Sequence, residues 1–364
     1  MNVLEREKLF HIDWWLFFLV AAACALGTFI VYSASGTDQE VVFKHSVRIG
    51  FGLLAMLVTA QFSPVFLKRH TAKLYLFAVL LLIAVLLIGV VGKGAQRWLD
   101  FGFMRLQPSE LMKLAMPLMV AWWVNKYTLP VRFNQLFISL FIVGVPTALI
   151  MLQPDLGTAL LIASSGLIVI FLAGVSWRIL LISLGLFSAV VPIFYYFVLH
   201  DYQRSRILTL FNPWQDPLGA GYHTIQSMIA IGSGGIGGKG WIGGTQSQLD
   251  FLPERHTDFI FSVFAEEFGF IGFLFLLALY LGIVFRGIYI ALNTRSVFAR
   301  LLSGSITLTF FFYVFVNIGM VAGILPVVGV PLPLVSYGGT SMVTLLIGFG
   351  MLMAVKSHRD IAAH

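Results

Sequence analysis

Charged residues are scarce in this chain, and their scarcity excludes a soluble globular fold. Only 11% of its 364 residues carry a charge, whereas 59% are hydrophobic. Ordinary soluble domains contain about 25% charged residues. The apolar residues also come in blocks of about 20, the length needed to cross a hydrocarbon core about 30 Å thick. The sequence therefore predicts an all-α polytopic membrane protein.

Cysteine is almost absent, and a concentrated basic region is lacking as well. Cys24 is the only cysteine, so the chain can form neither an internal disulfide nor a Cys/His metal cluster nor a redox motif. The 23 Lys and Arg residues behind the net charge of +7 are spread over short connections. Nucleic-acid binding needs basic residues gathered on one surface. We therefore predict no nucleic-acid partner, and contacts with membrane lipid and anionic groups instead.

The apolar blocks predict ten transmembrane helices within one domain that covers residues 1–364. The predicted spans are 13–33, 44–62, 72–92, 108–126, 133–152, 156–174, 178–199, 258–285, 299–323 and 334–356. The first block is longer than the apolar core of a signal peptide and reads as a retained span. An even number of spans puts both termini on one side. Thirteen of the 23 basic residues fall on that side, which the positive-inside rule identifies as the cytoplasm of an inner-membrane protein.

A large extracytoplasmic loop, residues 200–257, joins predicted helices 7 and 8. Its glycines alternate with residues such as Tyr222, Ile225 and Trp241, unlike a flexible Gly/Ser linker. We expect short amphipathic helices and tight turns that lie over the membrane face. The apolar segment 319–339 is broken by three prolines. Such backbone must be buried in protein or line a cavity, so we predict a re-entrant turn beside the functional site.

Ionisable residues at the mouths of predicted spans are the candidate site. Glu110 and Lys113 lie three apart on one face of span 4, and Asp155 and Asp258 begin spans 6 and 8. Each has a structural explanation, because Glu110 can be neutralised by Lys113 and an aspartate at a helix start can cap free backbone amides. The functional interpretation rests on their shared depth on one membrane face, which suggests one polar cavity.

Basic residues of the large loop are candidates for binding an anion. Arg204 and Arg206 can bind phosphate or pyrophosphate, and so can Lys239 with the exposed amides of its glycine run. The run Gly232–Gly240 is not a Walker A loop, because Ser233 occupies the place of its first glycine. The structural alternative is that the two arginines contact lipid head groups.

Long segments of the chain resemble the SEDS family. They are KGAQRWLDFGFMRLQPSELMK, QPDLGTA, DYQRSRI, DPLGAGYHTIQS, GSGGIGGKGW, GTQSQLDFLPERHTDFIFSVFAEEFG and GILPVVGVPLPLVSYGG, which together extend along nearly the whole chain in the family's order. The resemblance implies a peptidoglycan glycosyltransferase of cell elongation. It would polymerise lipid II on the outer face of the inner membrane beside a class B penicillin-binding protein and the elongation machinery.

The resemblance also carries residue roles. The family's essential aspartate falls on Asp258, its paired acidic and basic residues on Glu110 and Lys113, and the aspartate of its QPDLG segment on Asp155. Chemistry adds that a partly desolvated carboxylate suits a general base and that a departing pyrophosphate needs positive charge. Arg204, Arg206, Lys239 or a divalent cation such as Mg²⁺ or Mn²⁺ could supply that charge. Asp258 and Asp155 are the residues that could hold such a cation.

Two other functions use the same features differently. A transporter that flips the lipid-linked precursor predicts ionisable residues through the full membrane thickness, whereas here they crowd one face and are nearly absent from spans 9 and 10. A scaffold for a transpeptidase needs no carboxylate cluster. The sequence therefore favours an interfacial enzyme.

Overall fold

A computed structural model describes residues 11–92, 95–100, 102, 105–197, 201–219, 221–249, 251–252 and 254–361. Its helices in chain order are α1 (Trp14–Ala34), α2 (Gln39–Ala60), α3 (Pro64–Ile88), α4 (Pro108–Val124), α5 (Phe133–Leu152), α6 (Leu156–Leu172), α7 (Trp177–Phe197), α8 (Asp201–Phe211), α9 (Tyr222–Gly234), α10 (Thr245–Gln248), α11 (Ile260–Leu292), α12 (Val297–Val321) and α13 (Thr340–Ile361). The predicted polytopic helical fold is confirmed.

Among the described residues, the helices that are long and apolar enough to cross a membrane number seven: α1, α2, α3, α5, α11, α12 and α13. Helices α4 and α6 lie where spans 4 and 6 were predicted but have only 17 residues each, a length of about 25 Å at 1.5 Å per residue. Helix α7 covers the seventh predicted span. The count of ten spans therefore stays a prediction.

A small antiparallel sheet makes the all-α prediction too simple. Strands β1 (Val90–Gly92), β2 (Ala95–Asp100) and β3 (Arg105–Leu106) pair in that order within the connection between α3 and α4. Gly92 pairs with Ala95, and Leu99 pairs with Leu106. The strands are too short to give a clear two-residue period in the sequence. The sheet matters because β2 carries Arg97 to the start of α6.

Two predicted spans begin more than five residues away from the start of the corresponding helix. Helix α3 begins at Pro64 rather than 72, because Ser63 caps the Phe66 amide and the fixed backbone of proline suits the first helical turn. Helix α13 begins at Thr340 rather than 334, because residues 322–339 form turns and extended backbone. We name residues 322–339 the re-entrant segment; it includes the buried residues Leu332 and Val335, as the prediction of buried non-helical backbone requires.

A buried cluster of charged residues joins three helices at one end of the bundle. Asp13, the N-cap of α1, has no exposed surface and receives Nε and an Nη atom of Arg286 at 3.1 and 2.8 Å. The Lys356 ammonium lies 3.0 Å from the same carboxylate. These contacts hold the start of α1 and the cytoplasmic ends predicted for α11 and α13 together. The side of the membrane on which this cluster lies stays a prediction.

Candidate functional site

The first component of the site is an ion pair at the start of α4. Pro108 occupies the first helical turn, and Lys113 Nζ lies 2.8 Å from Glu110 Oε1. Both side chains are largely buried, and the Lys113 ammonium also lies 5.8 Å from the centre of the Tyr313 ring on α12. The predicted pairing is confirmed. The second oxygen, Glu110 Oε2, is buried and has no hydrogen-bond partner within the described part of the chain.

The second component lies at the start of α6. Asp155 accepts a hydrogen bond from the Thr158 amide at 3.2 Å, so its capping role is confirmed. It also lies 3.4 Å from Arg97 Nε, and a second nitrogen of Arg97 donates to the Pro154 carbonyl at 2.7 Å. Asp155 is close enough to attract the Lys113 ammonium electrostatically. Four charged groups therefore form one cluster, two of each sign. Arg97 was not predicted, because only the sheet brings it here.

Asp258 lies just before α11 and is half-buried. The N-cap position of α11 falls on Phe259, so the interpretation of Asp258 as its N-cap is wrong. The Asp258 carbonyl accepts a hydrogen bond from Asn317 Nδ2 of α12 at 2.9 Å. Its carboxylate faces Gly329 of the re-entrant segment, where an added Cβ would lie 3.4 Å from Oδ2. Gly329 has φ +70°, a conformation that favours glycine.

The re-entrant segment connects Asp258 with the start of α6. A Cβ added at Gly157, in the first turn of α6, would lie only 2.4 Å from the Val328 carbonyl oxygen, so the two backbones are in direct contact. The next residue, Gly329, faces Asp258. The prediction that this segment lies beside the site is confirmed. Residues Glu110, Lys113 and Asp155 are grouped together, and residues 328–329 connect the start of α6 next to this group with Asp258.

The glycine run packs against a break in α11. Helix α11 is broken at Gly269, whose φ of 61° and ψ of −158° are accessible essentially to glycine alone. The break frees backbone groups, and the glycine run bonds to them. The amides of Lys239 and Gly240 each donate at 3.0 Å to the carbonyls of Glu266 and Glu267. These two amides are therefore used within the fold and do not form an anion-binding loop.

The predicted anion ligand Lys239 is paired with a buried glutamate. Its ammonium lies 2.7 Å from Glu266 Oε1, which also accepts hydrogen bonds from the amides of Thr245 and Gln246 at 2.8 and 3.1 Å. Glu266 has no exposed surface. We name Lys239, Thr245, Gln246 and Glu266 the loop clamp, because they fasten the large loop to the first turns of α11.

A second glutamate extends this attachment to α1. Glu267 accepts a hydrogen bond from the Ser33 hydroxyl near the end of α1. Neither Glu266 nor Glu267 was predicted as functional. The signal in the sequence was two adjacent carboxylates inside an apolar span, where ionisable groups are costly and normally have a specific partner.

The structure describes the side chain of only one of the two arginines predicted to bind an anion, Arg204. Arg204 donates from Nε and an Nη atom to the carbonyls of Tyr195 and Tyr196 at 3.0 and 2.7 Å, which attaches α8 to the last turn of α7. Binding of pyrophosphate by Arg204 stays a prediction. The side chain of Arg206 lies outside the described part of the structure.

The predicted divalent cation has no protein cage among the described residues. No three or more His, Cys, Asp or Glu side chains there are grouped so as to hold a metal ion. Asp155 is already used by Thr158 and Arg97. Mg²⁺ commonly binds through one or two carboxylates together with substrate phosphates. A cation that enters with the substrate is therefore compatible with Asp258, and the cation stays a prediction.

Comparison with known proteins gives a consistent result over nearly the full chain. The family model described as "Cell cycle protein", for FtsW, RodA and SpoVE, matches residues 14–361. The chain is 50% identical over 351 residues to the peptidoglycan glycosyltransferase MrdB of Escherichia coli K12, covering 96% of this chain and 95% of that protein. It is 35% identical over 370 residues to a probable peptidoglycan glycosyltransferase FtsW of Geobacter metallireducens, covering 98% and 97%.

Solved structures share the fold. The crystal structure of the rod shape determining protein RodA of Thermus thermophilus superposes with a TM-score of 0.72 at 32% identity, covering 95% of this chain and 97% of that one. A chain of a peptidoglycan synthase complex, described for its coordination of polymerization and crosslinking, superposes with a TM-score of 0.84 at 35% identity, covering 95% and 98%.

Proposed function

Because the chain belongs to the cell cycle protein family of FtsW, RodA and SpoVE and is a peptidoglycan glycosyltransferase of the membrane, we propose that Asp258 is its general base. In this proposal the substrate is lipid II. The 4-hydroxyl of one saccharide attacks the anomeric carbon of another, and its proton passes to the Asp258 carboxylate. The bond from the anomeric carbon to the lipid pyrophosphate breaks, and its electron pair leaves with the pyrophosphate.

The environment of Asp258 supports this role. A carboxylate that is partly removed from water is a stronger base than one in solution. Asp258 is half-buried, its backbone is held by Asn317, and its carboxylate faces the small residue Gly329. The absence of a side chain at Gly329 leaves room for a substrate hydroxyl next to the base.

The charged cluster across the re-entrant segment supports a role in binding the substrate. Glu110 Oε2 is a buried acceptor without a partner among the described residues, and a saccharide hydroxyl or amide N–H would satisfy it. Two cations belong to this cluster, because Lys113 pairs with Glu110 and Arg97, whose side chain is 30% exposed, pairs with Asp155. We assign them the charge that stabilises the departing pyrophosphate. In this assignment Lys239 holds the loop instead.

The proposed topology has ten spans, cytoplasmic termini and an active site on the periplasmic side. The Asp13 cluster supports it, because it joins the N-terminal end of α1 to the ends of α11 and α13 that lie far from Asp258. For the partner we propose a class B penicillin-binding protein and the elongation machinery. The support is the likeness to a chain of a peptidoglycan synthase complex that coordinates polymerization and crosslinking.

The test is polymerisation of purified lipid II by the detergent-solubilised protein together with its transpeptidase partner. Asp258→Asn keeps the shape of the side chain but removes the base, so we expect the rate to fall by about 10²- to 10⁴-fold. Asp38→Asn is the matched control, because Asp38 caps α2 and asparagine caps a helix equally well. Asp258→Asn with a rate within a few-fold of the control would remove Asp258 from the mechanism.

A further inference from the structure

Three successive carbonyl groups around Asp258 are each held by a hydrogen bond from α12 or the re-entrant segment. The Tyr337 amide donates to the His256 carbonyl at 2.8 Å. The Ser336 hydroxyl donates to the Thr257 carbonyl at 2.6 Å, and Asn317 Nδ2 donates to the Asp258 carbonyl at 2.9 Å. Three bonds to three consecutive residues fix the peptide planes and therefore the direction in which the Asp258 side chain leaves the backbone.

Of the three residues that donate these hydrogen bonds, Asn317 bonds with its side chain to two separate backbone segments. Its side-chain amide has two N–H donors, and both are used, one for the Asp258 carbonyl and one for the Val330 carbonyl at 2.6 Å. Val330 follows Gly329, the residue that the Asp258 carboxylate faces. One side chain therefore sets both the backbone that carries the carboxylate and the backbone opposite it.

The oxygen atom of the Asn317 side-chain amide suggests that stability of the fold alone does not explain why asparagine occupies this position. Asn317 has no exposed surface, and its Oδ1 is buried without a hydrogen-bond partner within the described residues. Such an unpartnered acceptor is costly. Asn317 therefore carries an energetic cost in the core, and its two hydrogen bonds go to the backbone carbonyls of Asp258 and Val330. Such a costly residue is typical of a functional site.

Asn317 also connects the two parts of the site. Tyr313 lies one turn earlier on the same face of α12, and its ring lies beside Lys113. The same helix surface therefore contacts the Glu110–Lys113 pair and the backbone of Asp258.

We propose that Asn317 is a positioning residue for glycosyl transfer, which holds the Asp258 carboxylate at a fixed place facing Gly329. The proposal rests on the role proposed above for Asp258. It goes beyond it by assigning to a residue of α12 the geometry on which the base depends. A displacement of about 1 Å at a reacting group can cost about 10²-fold in rate.

The experiment compares Asn317→Leu, which has nearly the same size but no donor, with wild type in lipid II polymerisation. We expect kcat to fall by about 10²-fold and KM to change less than about threefold. We also expect the acidic limb of the pH–rate profile to move, because it reports the base. Asn293→Leu is the matched control. Asn293 donates to the Tyr289 carbonyl at 2.9 Å at the other end of α11, so its kcat should stay at the wild-type value.

A second pair of variants keeps the test decisive if Asn317→Leu does not fold. The Ser336 hydroxyl accepts from the Leu332 amide at 2.7 Å while it donates to Thr257. Ser336→Ala should lower kcat by about tenfold, and Ser336→Thr, which keeps the hydroxyl, should restore it. A folded Asn317→Leu with wild-type kcat, or Ser336→Ala with wild-type kcat, overturns the proposal.

The Asp258 variant separates the two proposals. If Asp258→Asn is inactive and Asn317→Leu has wild-type kcat, only the positioning role fails. If Asp258→Asn is active, the proposed base fails and the positioning proposal fails with it. If both roles are correct, Asn317→Leu should reduce the residual rate of Asp258→Asn by less than about threefold, because residues that act as a unit are not additive.

Discussion

The loop clamp gives a prediction whose size can be worked from the structure. Glu266→Ala removes the acceptor for the Lys239 ammonium and for the amides of Thr245 and Gln246, all of which bond to Glu266 Oε1. Loss of one partner of a buried ion pair costs about 3 to 5 kcal/mol. The Lys239 side chain is 27% exposed, so water takes over part of its solvation and we expect a cost of about 3 kcal/mol.

This free energy should appear as easier local opening of the loop. At about 1.4 kcal/mol per tenfold change, the amides of Thr245 and Gln246 should exchange their hydrogens about 10²-fold faster in the variant. Hydrogen–deuterium exchange of the detergent-solubilised protein measures this directly. The control is Glu40→Ala. Glu40 pairs with Lys44 on an exposed helix surface with 73% of its side chain accessible, and such pairs contribute about 1 kcal/mol or less. Equal exchange at Thr245 and Gln246 in both variants would refute the clamp.

Three other residues, Gly329, Arg286 and His11, lead to predictions about the polymerisation rate or the thermal stability of the protein. Gly329→Ala forces a left-handed backbone on a residue with a side chain, at a cost of about 1 to 2 kcal/mol, and places a methyl group beside the proposed base. The polymerisation rate should therefore fall. Gly50 has open space around it, so the control Gly50→Ala should leave the rate unchanged. Arg286→Met removes a partner of the buried Asp13 carboxylate and should destabilise the protein by about 3 kcal/mol, seen as a lower thermal unfolding temperature; an unchanged temperature would contradict the cluster's role. Burial and the nearby charge of His358 lower the pKa of His11 below its ordinary 6.5. The neutral form is therefore favoured in the folded state, and its stabilising contribution should be lost as the pH falls below about 6.5. Thermal unfolding followed against pH should show a smaller acid loss in His11→Phe.

The sequence predicted those features of the structure that depend on a single helix or segment. Blocks of apolar residues located the long helices, and the spacing of Glu110 and Lys113 predicted their ion pair. The prolines of segment 319–339 predicted non-helical backbone that is buried. These properties depend on local composition and on the membrane as solvent. The family resemblance added the fold and the glycosyltransferase activity, both of which the related proteins confirm.

Contacts between distant elements could not be predicted in the same way. Arg97 reaches Asp155 only because a short sheet turns the chain back toward α6. The pairing of Lys239 with Glu266 was not predicted, because Glu266 lies 27 residues further along the chain, inside a predicted span. The break at Gly269 also left no clear mark on the hydrophobic pattern. Single glycines are common in transmembrane helices.

The break in α11 divides this helix into two parts that are fastened to different elements at their outer ends. The part before Gly269 begins beside Asp258 and is fastened to the large loop by the clamp, whereas the part after it is anchored by Arg286 to Asp13 at the far end. The glycine run also bonds to the part beyond the break, because the carbonyls of Gly235 and Ile236 accept hydrogen bonds from the amides of Phe270 and Ile271. A displacement of the large loop would therefore be passed to both parts of α11, toward Asp258 on one side and toward the Asp13 cluster on the other.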